Sequence, residues 1–104
     1  MKAGDRVNRM KDEEMIKLLE TLEPGAEIEI DIKALDGLVT LTGKFKCGLH
    51  QDGYYKGGSW INNKSDDDYW KDFRPCYQFY FQEKGKRKIY IMQVGFKVVN
   101  IREI

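Results

Sequence analysis

Cysteine and histidine are the residue types best suited to chemistry, and they occur together in the run Cys47-Gly48-Leu49-His50. A C-x-x-H spacing can supply two ligands of a zinc site, but a structural site needs four and only Cys76 remains as a soft ligand. The same side chains suit a small enzyme with a Cys-His nucleophile pair, although no local signature of such an enzyme occurs. We therefore favour two reduced, half-buried thiols, and we expect no catalytic residue, metal or cofactor.

Two further motifs have ordinary explanations. Asp66-Asp67-Asp68 lacks the alternating oxygen ligands, the glycine and the later glutamate of a calcium loop, so an acidic, solvated segment is favoured. Gly53 and the run Gly57-Gly58-Ser59 lack the order and the lysine of a phosphate-binding loop. We interpret these glycines as turns.

The aromatic residues are distributed unevenly along the chain. The five Phe, six Tyr and two Trp include only Phe45 in the first half. Trp and Tyr dominate the hot spots of protein interfaces, and here they lie next to acidic residues. Folding back as a satellite core is the alternative. The predicted protein-binding residues are Tyr54, Tyr55, Trp60, Asp66, Asp67, Asp68, Tyr69 and Trp70.

Basic residues concentrate at a predicted hairpin tip and on an earlier strand. They suit phosphate contacts to single-stranded nucleic acid, with stacking from Tyr80 or Tyr90. Exposed lysines also keep strand edges from pairing, and the net charge of +1 gives no global field for nucleic acid. The alternative nucleic-acid-binding residues are Lys44, Lys46, Lys84, Lys86, Arg87 and Lys88.

Length and composition indicate one domain, residues 1–104. The hydrophobic content of 41% and charged content of 34% suit a soluble chain with one modest core. No stretch approaches a membrane span, and the polar start from Met1 to Asn8 does not resemble a signal peptide. With only two cysteines, we expect a cytoplasmic protein.

The elements that must position these residues start with a helix. Met15, Leu18, Leu19 and Leu22 share one helical face, with Asp12 as the expected N-cap. Alternation then predicts strands, with Ile28, Ile30 and Ile32 opposite a wet face of Glu27, Glu29 and Asp31. In the next strand we expect Val39, Leu41, Phe45 and Cys47 to point inward. We predict a helix over about 12–23 and strands over about 26–33, 38–47, 76–82, 87–94 and 96–102.

Between the second and third strands, residues 48–74 are predicted to form one long loop, and long loops are often functional. A two-residue turn at Lys84-Gly85 predicts a second hairpin. Its cross-strand pairs would be Phe81 with Lys88, Phe79 with Tyr90 and Tyr77 with Met92. Apolar Tyr80, Ile89 and Ile91 on its other face suggest strands that curl round a core.

The order helix, two strands, long loop and three strands predicts an α+β, mainly β domain. Its expected form is a five-stranded antiparallel, partly open barrel with the helix over one end. Through LLETLEPGAEIEI near the start and VVNIREI at the end, the chain resembles small SH3-like or Sm-like barrel proteins of Gram-positive phages and mobile elements. This resemblance implies a non-catalytic binding module.

The leading functional hypothesis is a small non-enzymatic protein that docks on a protein partner through its aromatic and acidic segment. A phage-encoded inhibitor of a host protein, such as an anti-CRISPR or other anti-defence factor, fits this hypothesis. A nucleic-acid-binding barrel is the alternative, and an enzyme based on Cys47, His50 and Cys76 is the third. Exposed edge strands can also pair between chains, so a dimer is compatible with the sequence.

Overall fold

The computed structural model describes residues 9–104, so the predicted polar start at residues 1–8 lies outside the described residues. The described chain is α+β and mainly β, as predicted, with 55% strand, one α-helix and an antiparallel, open sheet of six strands. The helix α1 spans Asp12–Thr21. The strands are β1 Glu27–Ala34, β2 Gly37–Lys56, β3 Ser59–Ile61, β4 Arg74–Glu83, β5 Ile89–Gln93 and β6 Val98–Glu103.

Helix α1 buries Met15 and Leu19 of the predicted apolar face. The expected N-cap was wrong by one residue, because Lys11 is the N-cap and Asp12 is already helical. Glu14 supports this end of the helix by accepting the Lys11 backbone N–H at 2.9 Å. The carboxylate of Asp12 is thereby free to bond elsewhere in the fold.

Strands β1 and β2 form the predicted first hairpin, in a register that pairs Ile30 with Leu41 and Ile28 with Gly43. Ile28 and Ile30 are fully buried, as the alternation predicts. Two expected inward positions on β2 were wrong, because Val39 and Cys47 are exposed. Val39 lies close to the exposed turn that joins β1 to β2, and the pairing of β2 with β4 slips immediately before Cys47.

The predicted long loop over residues 48–74 was wrong. Strand β2 continues to Lys56, β3 pairs with its end, and a short 3-10 helix covers Asp68–Trp70. From Phe45 to Tyr55, β2 advances ten residues while its partner β4 advances seven, from Phe81 to Arg74. The three extra residues form bulges that break the period-two pattern by which a strand is recognised.

Glycines allow β2 to bend at these bulges. Gly48 and Gly53 have backbone φ angles of +82° and +80°, which residues other than glycine rarely adopt. A Cβ at Gly48 would collide with the ring of Tyr80, and one at Gly53 with the ring of Trp60. The rings of Tyr80 and Trp60 therefore pack directly against the backbone of these two glycines.

The second hairpin forms with a register two residues away from the prediction. Phe81 pairs with Tyr90 and Phe79 with Met92, because five residues connect β4 to β5 instead of two. The Gln82 side chain stabilises this wider turn by donating to the carbonyls of Lys86 and Arg87. A shift of two keeps every side chain on its predicted face, so Phe79 and Phe81 are buried.

Neighbouring strands follow the order β5-β4-β2-β1-β6, with β3 beside the end of β2. Helix α1 and the inner face of the sheet share one core, to which α1 contributes Met15 and Leu19. On the outer face of the second hairpin, Tyr80 is half-buried and Ile89 and Ile91 are about half exposed. The sheet is open, and β5 is the strand at one of its edges.

A buried polar network connects β1 to β6. Asp31 was expected on the wet face, but it is only 6% exposed, and Arg102 donates to its two carboxylate oxygens at 3.0 and 3.1 Å. Thr40 and Asn100 donate to the same carboxylate. The hydrogen bonds from Arg102 and these neighbours outweigh burial and hold the pKa of Asp31 below its usual value.

Acidification is therefore expected to weaken this network. A carboxylate with a depressed pKa in the folded state stabilises the fold fully above its unfolded pKa of about 3.9, and this contribution is lost as pH falls through the folded pKa. Urea titrations at a series of pH values should show the free energy of unfolding falling more steeply below about pH 5 in the parent than in Asp31→Asn. The exposed turn variant Asp36→Asn should follow the parent, and identical pH profiles for all three would contradict this role of Asp31.

Candidate protein-interaction site

The predicted aromatic residues divide among three environments, beginning with a buried position. Tyr55, near the end of β2, is buried, so it is part of the core and not of a free surface. Its hydroxyl donates to Asp12 on α1 and accepts from Arg74 at 3.0 Å. Burial and the Asp12 carboxylate raise the pKa of the Tyr55 phenol, which keeps it a donor. The satellite-core alternative holds for this residue.

Trp60 also has an architectural role. It lies on β3 directly across from Tyr55, and its ring covers Gly53. The indole N–H donates to the carbonyl of Asp52 at 3.1 Å, which satisfies its polar atom within the fold. Trp60 is half-buried, and these contacts lie within β2 and β3, apart from the predicted protein-binding aromatic residues Tyr69 and Trp70.

Three other aromatic side chains form a surface cluster, which we call the aromatic ridge: Tyr69, Trp70 and Phe73. Tyr69 and Trp70 meet edge to face with ring centroids 4.5 Å apart, and Trp70 and Phe73 with centroids 5.3 Å apart. Tyr69 is 76% exposed, while Trp70 and Phe73 are half-buried. The 3-10 helix holds this spacing through the Trp70 N–H bond to Asp67 O at 3.0 Å. Phe73 was not among the predicted site residues, although its i, i+3 spacing from Trp70 was a usable signal.

The acidic residues next to the ridge are on the surface. Asp66, Asp67 and Asp68 are all exposed, and Asp67 accepts a hydrogen bond only from Ser65, at 3.1 Å, among the described side chains. Asp72 forms an ion pair with Lys56 at 3.6 Å, with both side chains more than half exposed. An exposed pair of this kind contributes little to stability. Within residues 9–104, Asp66, Asp67 and Asp68 form no salt bridge, so the ridge is adjoined by exposed carboxylates.

Tyr54 is intermediate between these environments. It is half-buried, and the ammonium group of Lys64 lies 5.4 Å from its ring centre. This contact ties the segment after β3 to the end of β2. Of the eight predicted protein-binding residues, the structure thus brings together five: Asp66, Asp67, Asp68, Tyr69 and Trp70.

The alternative basic residues are only partly assembled. Lys44, Lys84 and Lys86 line one open cleft of about 470 Å³, together with Glu27 and Glu83. Lys46 is half-buried on β2, while Arg87 and Lys88 lie in the exposed turn before β5. Lys88 covers the ring of Tyr90 at 5.1 Å.

The cysteines and the histidine do not converge. Cys47 is exposed and pairs with Tyr80 of β4. Cys76 is buried on the same strand, four residues before Tyr80 and therefore about 13 Å from Tyr80 along an extended strand. Burial raises the pKa of the Cys76 thiol to about 11, so it stays protonated at neutral pH. The expectation of two half-buried thiols was wrong for both. His50 is exposed, and its Nδ1 bonds to the carbonyl of Gly48.

Comparisons of the chain with protein-family models, with curated proteins and with solved structures found no match. Within residues 9–104, no group of three or more His, Cys, Asp and Glu side chains is arranged to hold a metal ion. The same residues include no helix with the length and hydrophobicity needed to cross a membrane.

The hydroxyl of Tyr55 is expected to stabilise the fold measurably. Tyr55→Phe leaves the Asp12 carboxylate without its buried donor and should lower the free energy of unfolding by about 1–3 kcal/mol. Tyr54→Phe is the matched control, because the Tyr54 hydroxyl has no hydrogen-bond partner among residues 9–104. Chemical denaturation of both variants checks this, and equal stability of Tyr55→Phe and the parent would contradict the proposed link between helix and sheet.

Proposed function

We propose that this protein is a small, non-enzymatic binding protein that docks on a protein partner through the aromatic ridge and its acidic border. The exposure of Tyr69, whose ring packs edge to face against Trp70 and through it is joined to Phe73, carries the proposal. A large aromatic side chain exposed to water is apolar surface that a partner can bury. Tyr and Trp also give a large contact area with few rotatable bonds.

The attachment of the ridge supports the same function. The segment that carries it begins after β3 and ends at Arg74, the first residue of β4. Arg74 bonds to Tyr55, which in turn bonds to Asp12 on the helix. A preorganised surface loses less conformational entropy on binding than a mobile loop would.

The acidic border favours a basic partner surface. Asp66, Asp67 and Asp68 are exposed, and opposite charge across an interface steers association and selects the partner. A surface that normally binds phosphate would meet these carboxylates well. We propose inhibition of such a host protein in the bacterial cytoplasm, as by a phage-encoded anti-CRISPR or other anti-defence factor.

We also propose that the sheet is a partly open SH3-like barrel with one added strand, β3. Support comes from β2, which is long enough to pair with β1 at its start and with β4 over the rest. Further support comes from the bridge between Val94 and Val98, which draws the end of β5 toward β6. Such barrels commonly serve as binding modules.

Affinity capture from nuclease-treated bacterial lysate tests the function. A protein retained by the tagged parent should be bound at least about tenfold more weakly by Tyr69→Ala and by Asp66→Lys/Asp68→Lys, as expected for a hot spot and its charged border. All variants should keep the parent circular dichroism spectrum.

Leu35→Ala provides the matched control for loss of an exposed apolar side chain. Leu35 is fully exposed at the turn between β1 and β2, away from the ridge in sequence. It should retain the partner at parent strength. Equal retention of the partner by the ridge variants would refute docking through the ridge.

A second candidate, single-stranded nucleic-acid binding, is favoured by the cleft that Lys44, Lys84 and Lys86 line. Phosphate contacts would make the affinity fall steeply with salt. Replacing these three lysines with glutamine should reduce the slope of log affinity against log salt by about 2 in fluorescence anisotropy with an oligonucleotide. Lys17→Gln on the exposed helix surface is the control, and a weak, salt-insensitive response of the parent would exclude this candidate.

A further inference from the structure

The two edges of the sheet are treated differently by the chain. At the β6 edge, the Met10 N–H donates to the carbonyl of Val99 at 3.0 Å and to the Asn100 side chain at 2.9 Å. The sulfur of Met10 accepts the Ile101 N–H at 3.3 Å. The residues just before α1 therefore cover the β6 edge, and β5 forms the other edge of the sheet.

One hydrogen bond determines which groups of β5 point outward. The Val94 N–H donates to Tyr77 O at 2.8 Å, so Val94 and Tyr77 form a hydrogen-bonded pair. Such pairs alternate along antiparallel strands, and Tyr90 and Met92 therefore direct their backbone groups toward β4. The backbone groups of Ile89, Ile91 and Gln93 consequently point away from the sheet. Consistent with this phase, the Gln93 carbonyl accepts the N–H of Lys97 at 3.1 Å.

The remaining outward groups belong to two isoleucines. By this phase Ile89 and Ile91 make no backbone hydrogen bond to β4, and no turn or loop hydrogen bond within residues 9–104 reaches their N–H or carbonyl groups. Their side chains are 49% and 56% exposed, and the half-buried Tyr80 lies directly across from Ile91. Proteins usually protect an edge with charges or proline on the edge itself, whereas this edge has β-branched apolar residues that favour strand pairing.

The charges beside this edge define what can pair with it. Lys86, Arg87 and Lys88 precede Ile89 immediately, and all three are exposed. An antiparallel strand added to β5 would place its C-terminal end next to these three cations. A second β5 strand would bring no carboxylate to that position, whereas an acidic partner strand would be complementary.

We propose that the free edge of β5 takes up an extended strand of another protein, with small apolar side chains on alternate residues and acidic residues at its C-terminal end. The backbone groups of Ile89 and Ile91 supply the hydrogen bonds, and their side chains with Tyr80 form the outer apolar strip. This surface is separate from the aromatic ridge. It does not depend on the function proposed for that ridge.

The probe is a fluorescein-labelled heptapeptide of alternating valine and threonine that ends in two glutamates, with an amidated C-terminus. Titration of the full chain into this peptide, followed by anisotropy, should give saturable binding. N-methylation of the two peptide amides that pair with β5 should weaken binding at least about tenfold, because two backbone hydrogen bonds are lost. A peptide ending in two lysines should also bind at least about tenfold more weakly.

Ile91→Pro gives the matched protein variant. Its N–H points outward, so proline removes an edge donor without breaking a bond to β4, whereas Tyr90→Pro would break the pairing itself. Ile91→Pro should keep the parent circular dichroism spectrum and lose at least about tenfold in peptide affinity. If Ile91→Pro unfolds, Ile91→Thr, which removes the apolar side chain and keeps the backbone donor, should retain the sensitivity to N-methylation.

Three results would overturn the proposal. They are absence of saturable binding, equal binding of the N-methylated peptide, and a concentration-dependent dimer in sedimentation velocity that Ile91→Pro abolishes. The last result would assign the edge to a second copy of the chain. Loss of a captured partner on Tyr69→Ala, with unchanged peptide binding, would leave this edge proposal standing apart from the ridge.

Discussion

The hydrogen-bonding capacity of β2 is the constraint on which the rest of this fold depends. Over the 20 residues from Gly37 to Lys56, one strand must satisfy its backbone N–H and carbonyl groups on both sides. It does so by pairing first with β1, then with β4, and at its end with β3 as well. Every other strand except the edge strands β5 and β6 is located by its pairing with β2.

This constraint also connects the core to the candidate interface. The bulges at Gly48 and Gly53 turn β2 so that Tyr55 is buried beside α1 while the following residues return on β3. The chain between β3 and β4 must then span a short distance over the surface. It includes a 3-10 helix that holds the exposed ring of Tyr69 edge to face against Trp70. An exposed aromatic side chain is thus held by paired backbone on both flanks.

The sequence was informative wherever a local period determined the structure. Alternation correctly located Ile28 and Ile30 in the core, and the helical period correctly located Met15 and Leu19. It failed at Val39, which lies next to an exposed turn, and beyond Phe45, where bulges interrupt the period and a run of glycines and aromatics is typical of a loop. The interruption is itself produced by pairing with β4, which no short window of sequence contains.

Long-range partners account for the other differences. Asp31 alternates as a surface residue, yet its partner Arg102 lies 71 residues away and makes burial favourable. Tyr55 and Trp60 resembled interface residues until Asp12, Gly53 and Asp52 supplied their contacts. The acidic run and Tyr69 were predictable as surface because they lie in a charged stretch with no apolar period. Composition pointed to residues 53–74 as one segment, and contacts distant in sequence divided this segment into core and surface.

Amide hydrogen exchange followed by NMR tests the central claim most directly. If β2 is one continuous strand that supports the ridge, the paired amides near Tyr54 and Tyr55 should be protected to a similar degree as those near Ile30 in β1. Amides of residues 62–67, outside any strand, should exchange rapidly. Rapid exchange across residues 50–56, equal to that of residues 62–67, would contradict the continuous strand. It would also contradict the claim that this strand supports the aromatic ridge.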